Sequence, residues 1–343
     1  MIVLGLMSGT SLDGLDLALV EFFEEGRSFK LISSETIKYP KEWEDALKNA
    51  RSFSGLELTE LNVKYGKYTG RLVNKFITGK PKPDLISSHG HTIFHQPQKG
   101  FTLQIGNPID IAVKTGIQTV GDFRAMDVSK GGEGAPLVPA GDEFLFNDYD
   151  YCVNLGGISN YSYTSNGVRK AKDISPCNIV SNHYSNMLGK EFDENGVIGS
   201  KGVLNEALLN DLLQWDYYSA GRSLGIEQLE EGFFPLIDKY EISIEDKLRT
   251  YYEHIGQVIG GALNRESSLA LFTGGGVKNT FLMNRIRFYS KSEIIIPDDD
   301  VVDFKEAIIF ALLGYLRVQN QVNVLSSVTG ATSDSCSGIV VTP

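Results

Sequence analysis

The chain has 343 residues, a formal net charge of −11 and 42% hydrophobic residues. This composition allows two domains with substantial cores and excludes a disordered or fibrous chain. The acidic balance leaves no basic stripe for a phosphate backbone, so we predict no nucleic-acid partner. The longest late apolar run, 307–313, is too short to span a membrane, and the three cysteines are widely spaced. We therefore predict a cytoplasmic protein without a disulfide framework or a membrane partner.

The chain opens with two apolar runs, 2–7 and 15–20, joined by glycines, small hydroxyl residues and a carboxylate. The pattern predicts a strand, a turn that cradles phosphate, and a returning strand. Gly9 and Gly14 would let backbone N–H groups approach an anion, and Asp13 could hold Mg²⁺ through water. An ordinary hairpin with a polar loop is the alternative interpretation.

Helical periodicity follows at 42–51 and 58–77, where an apolar stripe indicates core packing. The sequence next predicts strands at 84–88 and 102–105, a short helix that begins at Asn107-Pro108 and ends at Gly116, and a strand at 118–120. That last strand delivers Asp122 at its C-terminal end. Alternating strands and helices imply a mixed or parallel sheet, whose ligands gather beyond the carboxyl ends of the strands.

The opening design recurs in the second half, where strands at 151–155 and 158–163 flank Gly156-Gly157. Two such units predict an internal duplication, with two phosphate loops that face each other across a cleft. The tail after Val324 has little pattern, and we expect it to be extended. The remaining predictions are helices at 178–188, 205–214, 244–265, 280–288 and 305–318, and strands at 269–273 and 294–296.

A carboxylate at a strand end suits proton removal beside a phosphoryl acceptor, so Asp122 is the candidate general base. On spacing alone, a structural pair between Asp122 and Arg124 explains the residues equally well. His89, His91 and His95 open a second alternative, because strand-His-x-His also begins the metal sites of some hydrolases. The sequence offers no second coherent ligand set to complete such a site.

Six segments in order along the chain, 5–20, 88–92, 121–124, 131–139, 154–160 and 273–279, together resemble the anhydro-N-acetylmuramic acid kinase family. The resemblance implies an α/β, two-lobed actin/hexokinase-like (ribonuclease H-like, duplicated) ATPase fold with a central cleft. It implies ATP and Mg²⁺ as cofactors and a sugar as the small-molecule partner, and it leaves a homodimer open. It gives the catalytic role to Asp122 and sugar-facing roles to His89, Thr92, Arg124 and Glu306. The residues expected to bind the cofactor are Gly9, Thr10, Ser11, Asp13, Gly14, Asp16, Gly156, Gly157, Gly274, Gly275, Gly276 and Asn279.

The chain departs from the family pattern in three places, one of which is Glu133, where the family is expected to have glutamine. Where the family has Asp-Thr-Gly-Pro-Gly-Asn, residues 173–178 read Asp-Ile-Ser-Pro-Cys-Asn, so both glycines and the hydroxyl are lost. We expect the Cβ of Cys177 to stand where a glycine would admit ligand, which puts activity in question more than fold. His91 stands where glutamine is expected.

The resemblance predicts an ATP-dependent kinase that opens 1,6-anhydro-N-acetylmuramic acid and phosphorylates it to N-acetylmuramic acid 6-phosphate in cell-wall recycling. A non-catalytic ATP-binding homologue and a kinase for another sugar are the alternatives. The expected lobes are 1–135, with the first loop and Asp122, and 136–343, with the second loop and the adenosine-binding turn. The last helix is expected to be able to pack back on the first lobe.

Overall fold

A computed structural model describes residues 1–9, 12–220 and 224–343. The chain forms two compact units. The first contains Met1–Asn147, Gly167–Arg169 and Phe304–Pro343, and the second contains Asp148–Asn166 and Lys170–Asp303. The first unit therefore continues past residue 135 and includes the end of the chain.

The first unit is built on a seven-stranded sheet in which β12, β6, β4, β1, β2 and β3 lie in that order and β5 pairs with β4. Strand β1 is antiparallel to β2 and parallel to β4, which is in turn parallel to β6. The strands are β1 (Ile2–Ser8), β2 (Leu15–Phe23), β3 (Ser28–Ile37), β4 (Leu85–Gln96), β5 (Phe101–Ile105), β6 (Thr119–Gly121) and β12 (Ile339–Val341).

Helices cover both faces of this sheet. The core on one face joins alternate residues of β1 and β2, such as Leu4 and Leu17, to the apolar side of the long second helix. The other face packs on the last long helix, and Gly5 permits this because a Cβ there would overlap the carbonyl of Ala307. The helices are α1 (Lys41–Asn49), α2 (Gly55–Phe76), α3 (Pro108–Thr115), α4 (Ala125–Ser129) and α5 (Val138–Leu145).

The second unit is built on a five-stranded sheet of order β11, β10, β7, β8, β9. Its strands are β7 (Tyr151–Leu155), β8 (Ile158–Ser165), β9 (Val168–Pro176), β10 (Leu269–Thr273) and β11 (Glu293–Ile295). The helices that follow β9 are α6 (Asn178–Met187), α7 (Glu206–Leu213), α8 (Tyr217–Ala220), α9 (Ile226–Gln228), α10 (Phe234–Asp238), α11 (Ile244–Ala262), α12 (Thr280–Tyr289), α13 (Asp299–Val318) and α14 (Ser326–Thr329), of which the last two lead into the first unit's final segment.

The long predicted elements are confirmed, with ends that differ by a few residues. Asn107 accepts a hydrogen bond from the N–H of Ile109 at the start of α3, and Gly116 ends that helix in the left-handed conformation, as the sequence indicates. The tail after Val324, which we expect to be extended, contains the short helix α14 and the strand Ile339–Val341, which pairs antiparallel with β6. This strand has three residues, which are too few to be recognised as a strand from the sequence without the partner strand.

Candidate functional site

The strand register brings three sequence-predicted positions to one edge of the first sheet. Ser8 pairs with His91, and Ser87 pairs with Val120. Asp122 lies two residues after Val120, and His89 lies two residues after Ser87. Asp122 and His89 therefore follow paired residues of β6 and β4. Because β1, β4 and β6 run parallel, their carboxyl ends meet at this edge, where α/β proteins place their ligands.

Asp122 is partly buried directly after β6, with a φ of 57°. Aspartate tolerates this left-handed conformation, which is uncommon for residues other than glycine and is enriched at functional sites. Burial raises the pKa of the Asp122 carboxyl, and a hydrogen bond from the N–H of Ala125 offsets part of that shift. A raised carboxyl pKa strengthens the base that the ionised form supplies.

Arg124 and His89 form a directed hydrogen-bonded pair. The Arg124 Nε donates to His89 Nε2 at 3.0 Å, and Nη1 donates to the Gly134 carbonyl at 2.7 Å. His89 Nε2 is thus an acceptor, so its ring proton sits on Nδ1, 2.9 Å from the Gly90 carbonyl. Burial, followed by the charge of Arg124, holds the His89 pKa well below its usual range, which keeps the ring neutral.

Arg124 has further capacity for a ligand. Burial lowers its pKa to about 10, while the charge of Glu306 opposes that shift, so the guanidinium stays protonated at neutral pH. Among the described residues, Nη2 makes no hydrogen bond and is not sealed from solvent. A guanidinium held at two nitrogens with a third free is suited to a carboxylate or a hydroxyl.

Glu306 is the second candidate site carboxylate, after Asp122, in the first unit. It lies two turns into α13, which begins at Asp299, so the predicted start of this helix at residue 305 is wrong. Burial raises the pKa of Glu306, Arg124 opposes that shift, and the negative charge of Asp16 adds to it. Asp16 itself accepts a hydrogen bond from Thr36 Oγ1 at 2.6 Å. The structure therefore brings Arg124, Glu306 and Asp16 into electrostatic contact.

The turn between β1 and β2 is described in part, because Thr10 and Ser11 lie outside the described residues. The Leu12 N–H donates to the Gly9 carbonyl at 3.4 Å, and Asp13 is exposed. Gly14 is required by β3, since a Cβ there would lie 2.5 Å from the Ile37 carbonyl oxygen. Gly14 is expected from the sequence to approach an anion closely. In the structure, the close contact of Gly14 is with the neighbouring strand β3.

The three clustered histidines do not converge. His89 lies against Phe310 with ring centroids 4.7 Å apart, and His91 Nδ1 is 2.8 Å from Ser8 Oγ. His95 is exposed and reaches Thr102. Across 1–9, 12–220 and 224–343, no group of three His, Cys, Asp or Glu side chains could hold a metal ion.

Thr92 lies further along β4 than His89, at a position where β4 pairs with β5. Its Oγ1 accepts a hydrogen bond from Gln104 Nε2 at 3.3 Å, and Thr92 and Gln104 are partners in the strand register. The sugar-facing role of Thr92 stays a prediction.

The second unit places its glycine turns at the carboxyl ends of β7 and β10. The carbonyls of Gly156 and Gly157 accept from the N–H groups of Asn178 and Cys177, so this turn is tied to the start of α6. The exposed Gly157 has only Ile179 near its Cβ direction, at 3.9 Å. Its surface is therefore open to a ligand.

Three consecutive glycines follow β10, and their surroundings differ. Gly274 has a φ of 85°, and a Cβ on Gly276 would lie 2.7 Å from the Leu155 Cβ, so both pack against β7. Gly275 is exposed, and the nearest atom to a Cβ placed there is Asn178 Nδ2 at 3.9 Å, an ordinary contact distance. Asn279 caps α12 by accepting from the Leu282 N–H at 2.9 Å. Of the three glycines, Gly275 is thus the one at which the described structure shows no close contact that a side chain would disturb.

The departing segment 173–178 turns its new side chains inward. Ile174 and Cys177 belong to the second unit's hydrophobic core, at 6% and 1% exposure. Ser175 is fully buried, with its Oγ 2.9 Å from Ser159 Oγ. The expectation that the Cβ of Cys177 displaces ligand is wrong, because the core absorbs that side chain.

Sequence reasoning missed two polar groups of the first unit. Lys305 and Asp142 form a buried ion pair at 2.7 Å, and both charges act on the pKa of Glu306. Tyr39 donates to Ser8 and lies 2.5 Å from the hydroxyl of Tyr65, which the apolar stripe of α2 had suggested was only core. The one sequence signal for the Lys305–Asp142 pair was that Lys305 directly precedes the candidate residue Glu306.

Two sheets of matching strand order, each with a glycine-containing turn after its first strand, define an actin/hexokinase-like α/β protein. The family model described as "Anhydro-N-acetylmuramic acid kinase" matches residues 1–343. The chain belongs to the anhydro-N-acetylmuramic acid kinase family. It is therefore a kinase of peptidoglycan recycling, a phosphotransferase with an alcohol acceptor that uses ATP and acts on a small-molecule sugar.

Curated relatives agree over nearly their whole lengths. Proteins named "Anhydro-N-acetylmuramic acid kinase" are 34% identical in Haemophilus influenzae, over 96% of this chain and 95% of the relative, and 32% identical in Pseudoalteromonas translucida, over 96% and 94%. Among solved structures, the "Activator of the 2-Hydroxyisocaproyl-CoA Dehydratase from Clostridium difficile with bound ADPNP" aligns with a TM-score of 0.47 and 12% identity, over 93% of this chain and 96% of that one. Within the described residues, no helix is long and apolar enough to cross a bilayer.

Proposed function

We propose that the chain phosphorylates 1,6-anhydro-N-acetylmuramic acid with hydrolytic opening of its anhydro bridge, and that Asp122 is the general base. The observation that carries the proposal is the partly buried Asp122 carboxyl, with its raised pKa, at the carboxyl end of β6. It belongs to the same unit as the Arg124–His89 pair and Glu306. No hydrogen bond to a cationic side chain is recorded for Asp122 in the described structure, so the structural Asp–Arg alternative lacks support.

Asp122 takes a proton from a water molecule, whose oxygen attacks the anomeric carbon of the sugar. The bond from that carbon to the bridging oxygen breaks, and the freed 6-oxygen attacks the γ-phosphorus of ATP, releasing ADP. Positioning by Arg124, His89 and Glu306 makes the attack effectively unimolecular. The free Nη2 of Arg124 is suited to the carboxylate that the proposed substrate carries.

The nucleotide is bound by the two glycine turns and by the turn at 274–279. Gly157 and Gly275 offer open backbone surface, on which N–H groups can meet phosphate or a flat base. Asp13 and Asp16 are hard oxygen donors of the kind that Mg²⁺ prefers, and Mg²⁺ usually takes only one or two carboxylates. Mg²⁺ held there through water would neutralise charge on the phosphates.

The test is ADP release from Mg-ATP in the presence of the anhydro sugar, with a panel of ordinary hexoses alongside. We expect release that depends on the anhydro sugar and incorporates one oxygen from ¹⁸O-labelled water at the anomeric position. Equal release with ordinary hexoses would overturn the substrate assignment. ATP binding without turnover on any sugar would favour a non-catalytic homologue.

A further inference from the structure

Four buried polar side chains form a hydrogen-bonded line that runs from helix α2, past the end of strand β1, to strand β4. Tyr65 OH lies 2.5 Å from Tyr39 OH, which donates to Ser8 Oγ at 2.8 Å, and Ser8 Oγ lies 2.8 Å from His91 Nδ1. None of the four is more than 4% exposed. We call these residues, Tyr65, Tyr39, Ser8 and His91, the hydroxyl chain.

The proton positions in the hydroxyl chain follow from one bond. Tyr39 gives its only proton to Ser8, so Tyr65 must donate to Tyr39. The Ser8 proton is then left for His91 Nδ1, and the ring proton of a neutral His91 lies on Nε2. Burial, together with the positive charge of Arg51, lowers the His91 pKa to about 4, which agrees with a neutral acceptor.

Ser8 is the residue at which the first turn leaves the sheet. It is the last residue of β1, and the register between β1 and β4 shifts immediately before its pairing with His91. Gly9 follows, and its carbonyl closes the turn with Leu12. Contacts that fix the Ser8 side chain therefore fix the point at which the turn begins.

We propose that His91 and Tyr39 are positioning residues for ATP, which act through Ser8 on the first glycine turn. The inference rests on the proposed role of that turn in binding ATP. Removal of one member leaves a buried hydroxyl or ring nitrogen without its partner, and a half-satisfied network costs more than an apolar replacement would. We expect the turn to shift and ATP binding to weaken, while the proton transfer at Asp122 continues.

The experiment compares Tyr39→Phe with Tyr68→Phe as a matched control. Tyr68 lies on α2, stacks on Trp43 with centroids 4.6 Å apart, and makes no recorded side-chain hydrogen bond among the described residues. Tyr39→Phe is expected to raise KM for ATP about tenfold, which is the effect expected from the loss of one hydrogen bond and from one buried polar group left without a partner. We expect kcat and KM for the sugar to change less than threefold. Tyr68→Phe is expected to leave all three constants unchanged.

A second pair of variants keeps the test decisive if Tyr39→Phe does not fold. His91→Gln retains a side-chain acceptor for Ser8, whereas His91→Leu does not. We expect His91→Leu to raise KM for ATP and His91→Gln to restore most of the loss, with thermal melting run on every variant.

An unchanged KM for ATP in a folded Tyr39→Phe or His91→Leu overturns the proposal, as does an equal effect of Tyr68→Phe. Calorimetry with ATP on the unmodified chain separates the two levels of inference. No ATP binding would overturn both the nucleotide role of the turn and the hydroxyl chain's function. Intact ATP binding with no sugar-dependent turnover would overturn the kinase chemistry alone, and the ATP affinities of the variants would then decide the hydroxyl chain.

Discussion

The two sheets share one strand order but carry different chemistry at their carboxyl ends. In the first sheet β3, β2, β1, β4 and β6 are neighbours in that order, and β9, β8, β7, β10 and β11 repeat the order in the second. In both sheets the first strand is antiparallel to the second and parallel to the fourth. Charged and titratable groups follow the first sheet's strands, whereas glycines and asparagines follow the second's.

We infer from this difference that the two units have separate roles in the reaction. The first unit supplies carboxylates whose pKa values burial raises, together with a neutral histidine and a guanidinium. The second supplies uncharged backbone surface. We infer that the first sheet performs proton transfer and holds the sugar, and that the second chiefly holds nucleotide.

The largest expected effect comes from Asp122→Asn. Asparagine tolerates the same left-handed backbone but cannot accept the water's proton, so kcat should fall about 10²- to 10⁴-fold. The fold should be retained. Because the pKa of Asp122 is raised in the folded state, its ionised form opposes folding at neutral pH, and the melting temperature should rise or stay constant. Stopped assays and calorimetry measure the two quantities, and full activity in the variant would remove Asp122 from the chemistry.

The glycines of the second sheet allow a matched comparison. Gly276→Ala forces a Cβ to within 2.7 Å of Leu155, whereas the nearest atom to a Cβ at Gly275 is Asn178 Nδ2 at 3.9 Å. Gly276→Ala should lower the free energy of unfolding by about 1–3 kcal/mol, and Gly275→Ala should change it by less than about 0.5 kcal/mol. Urea unfolding followed by fluorescence measures both. A raised KM for ATP in the stable Gly275→Ala would place nucleotide at this turn, and an unchanged KM would argue against it.

The pH profile sharpens the role of the first sheet. A base with a raised pKa loses function as pH falls through that value, so the acid limb of kcat/KM should lie above the range of an ordinary aspartate. Glu306 also has a raised pKa, which makes Glu306→Gln the control. An acid limb with the same midpoint in Glu306→Gln would assign it to Asp122. A midpoint that moves to lower pH would assign it to Glu306.

The smallest expected effect concerns Cys177. Burial raises the pKa of this thiol to about 12, so it should resist alkylation in the folded protein. The partly exposed Cys336 should react first. Cys177→Ala should cost about 1 kcal/mol of stability and leave both KM values unchanged. Mass spectrometry after brief iodoacetamide treatment reports the labelling, and rapid modification of Cys177 would contradict its burial.

The sequence predicted the repeated strand–turn–strand design and the long helices because these depend on local periodicity and on glycine. It also placed Asp122 at a strand end. The start of α13 at Asp299 was missed because the aspartates at 298–300 and 303 interrupt the apolar pattern in its first turns. The hydroxyl chain was missed because tyrosine was counted as an apolar core residue, and the hydroxyl partners of Tyr39 and Tyr65 lie far away in the sequence. The inward orientation of Cys177 depends on core space that no spacing rule reports.

The pairing of Ile339–Val341 with β6 has a consequence for biosynthesis. The strand that presents Asp122 is translated long before its neighbour Ile339–Val341, and α13, which covers Gly5, also follows the strands of the second unit. The second unit, by contrast, is almost contiguous in the chain. A nascent polypeptide can therefore complete most of the second unit while the first sheet still lacks an edge strand and a covering helix. A chain that stops before residue 339 would leave β6, which directly precedes Asp122, paired with β4 alone, so the surroundings of Asp122 are completed only after the second unit has been made.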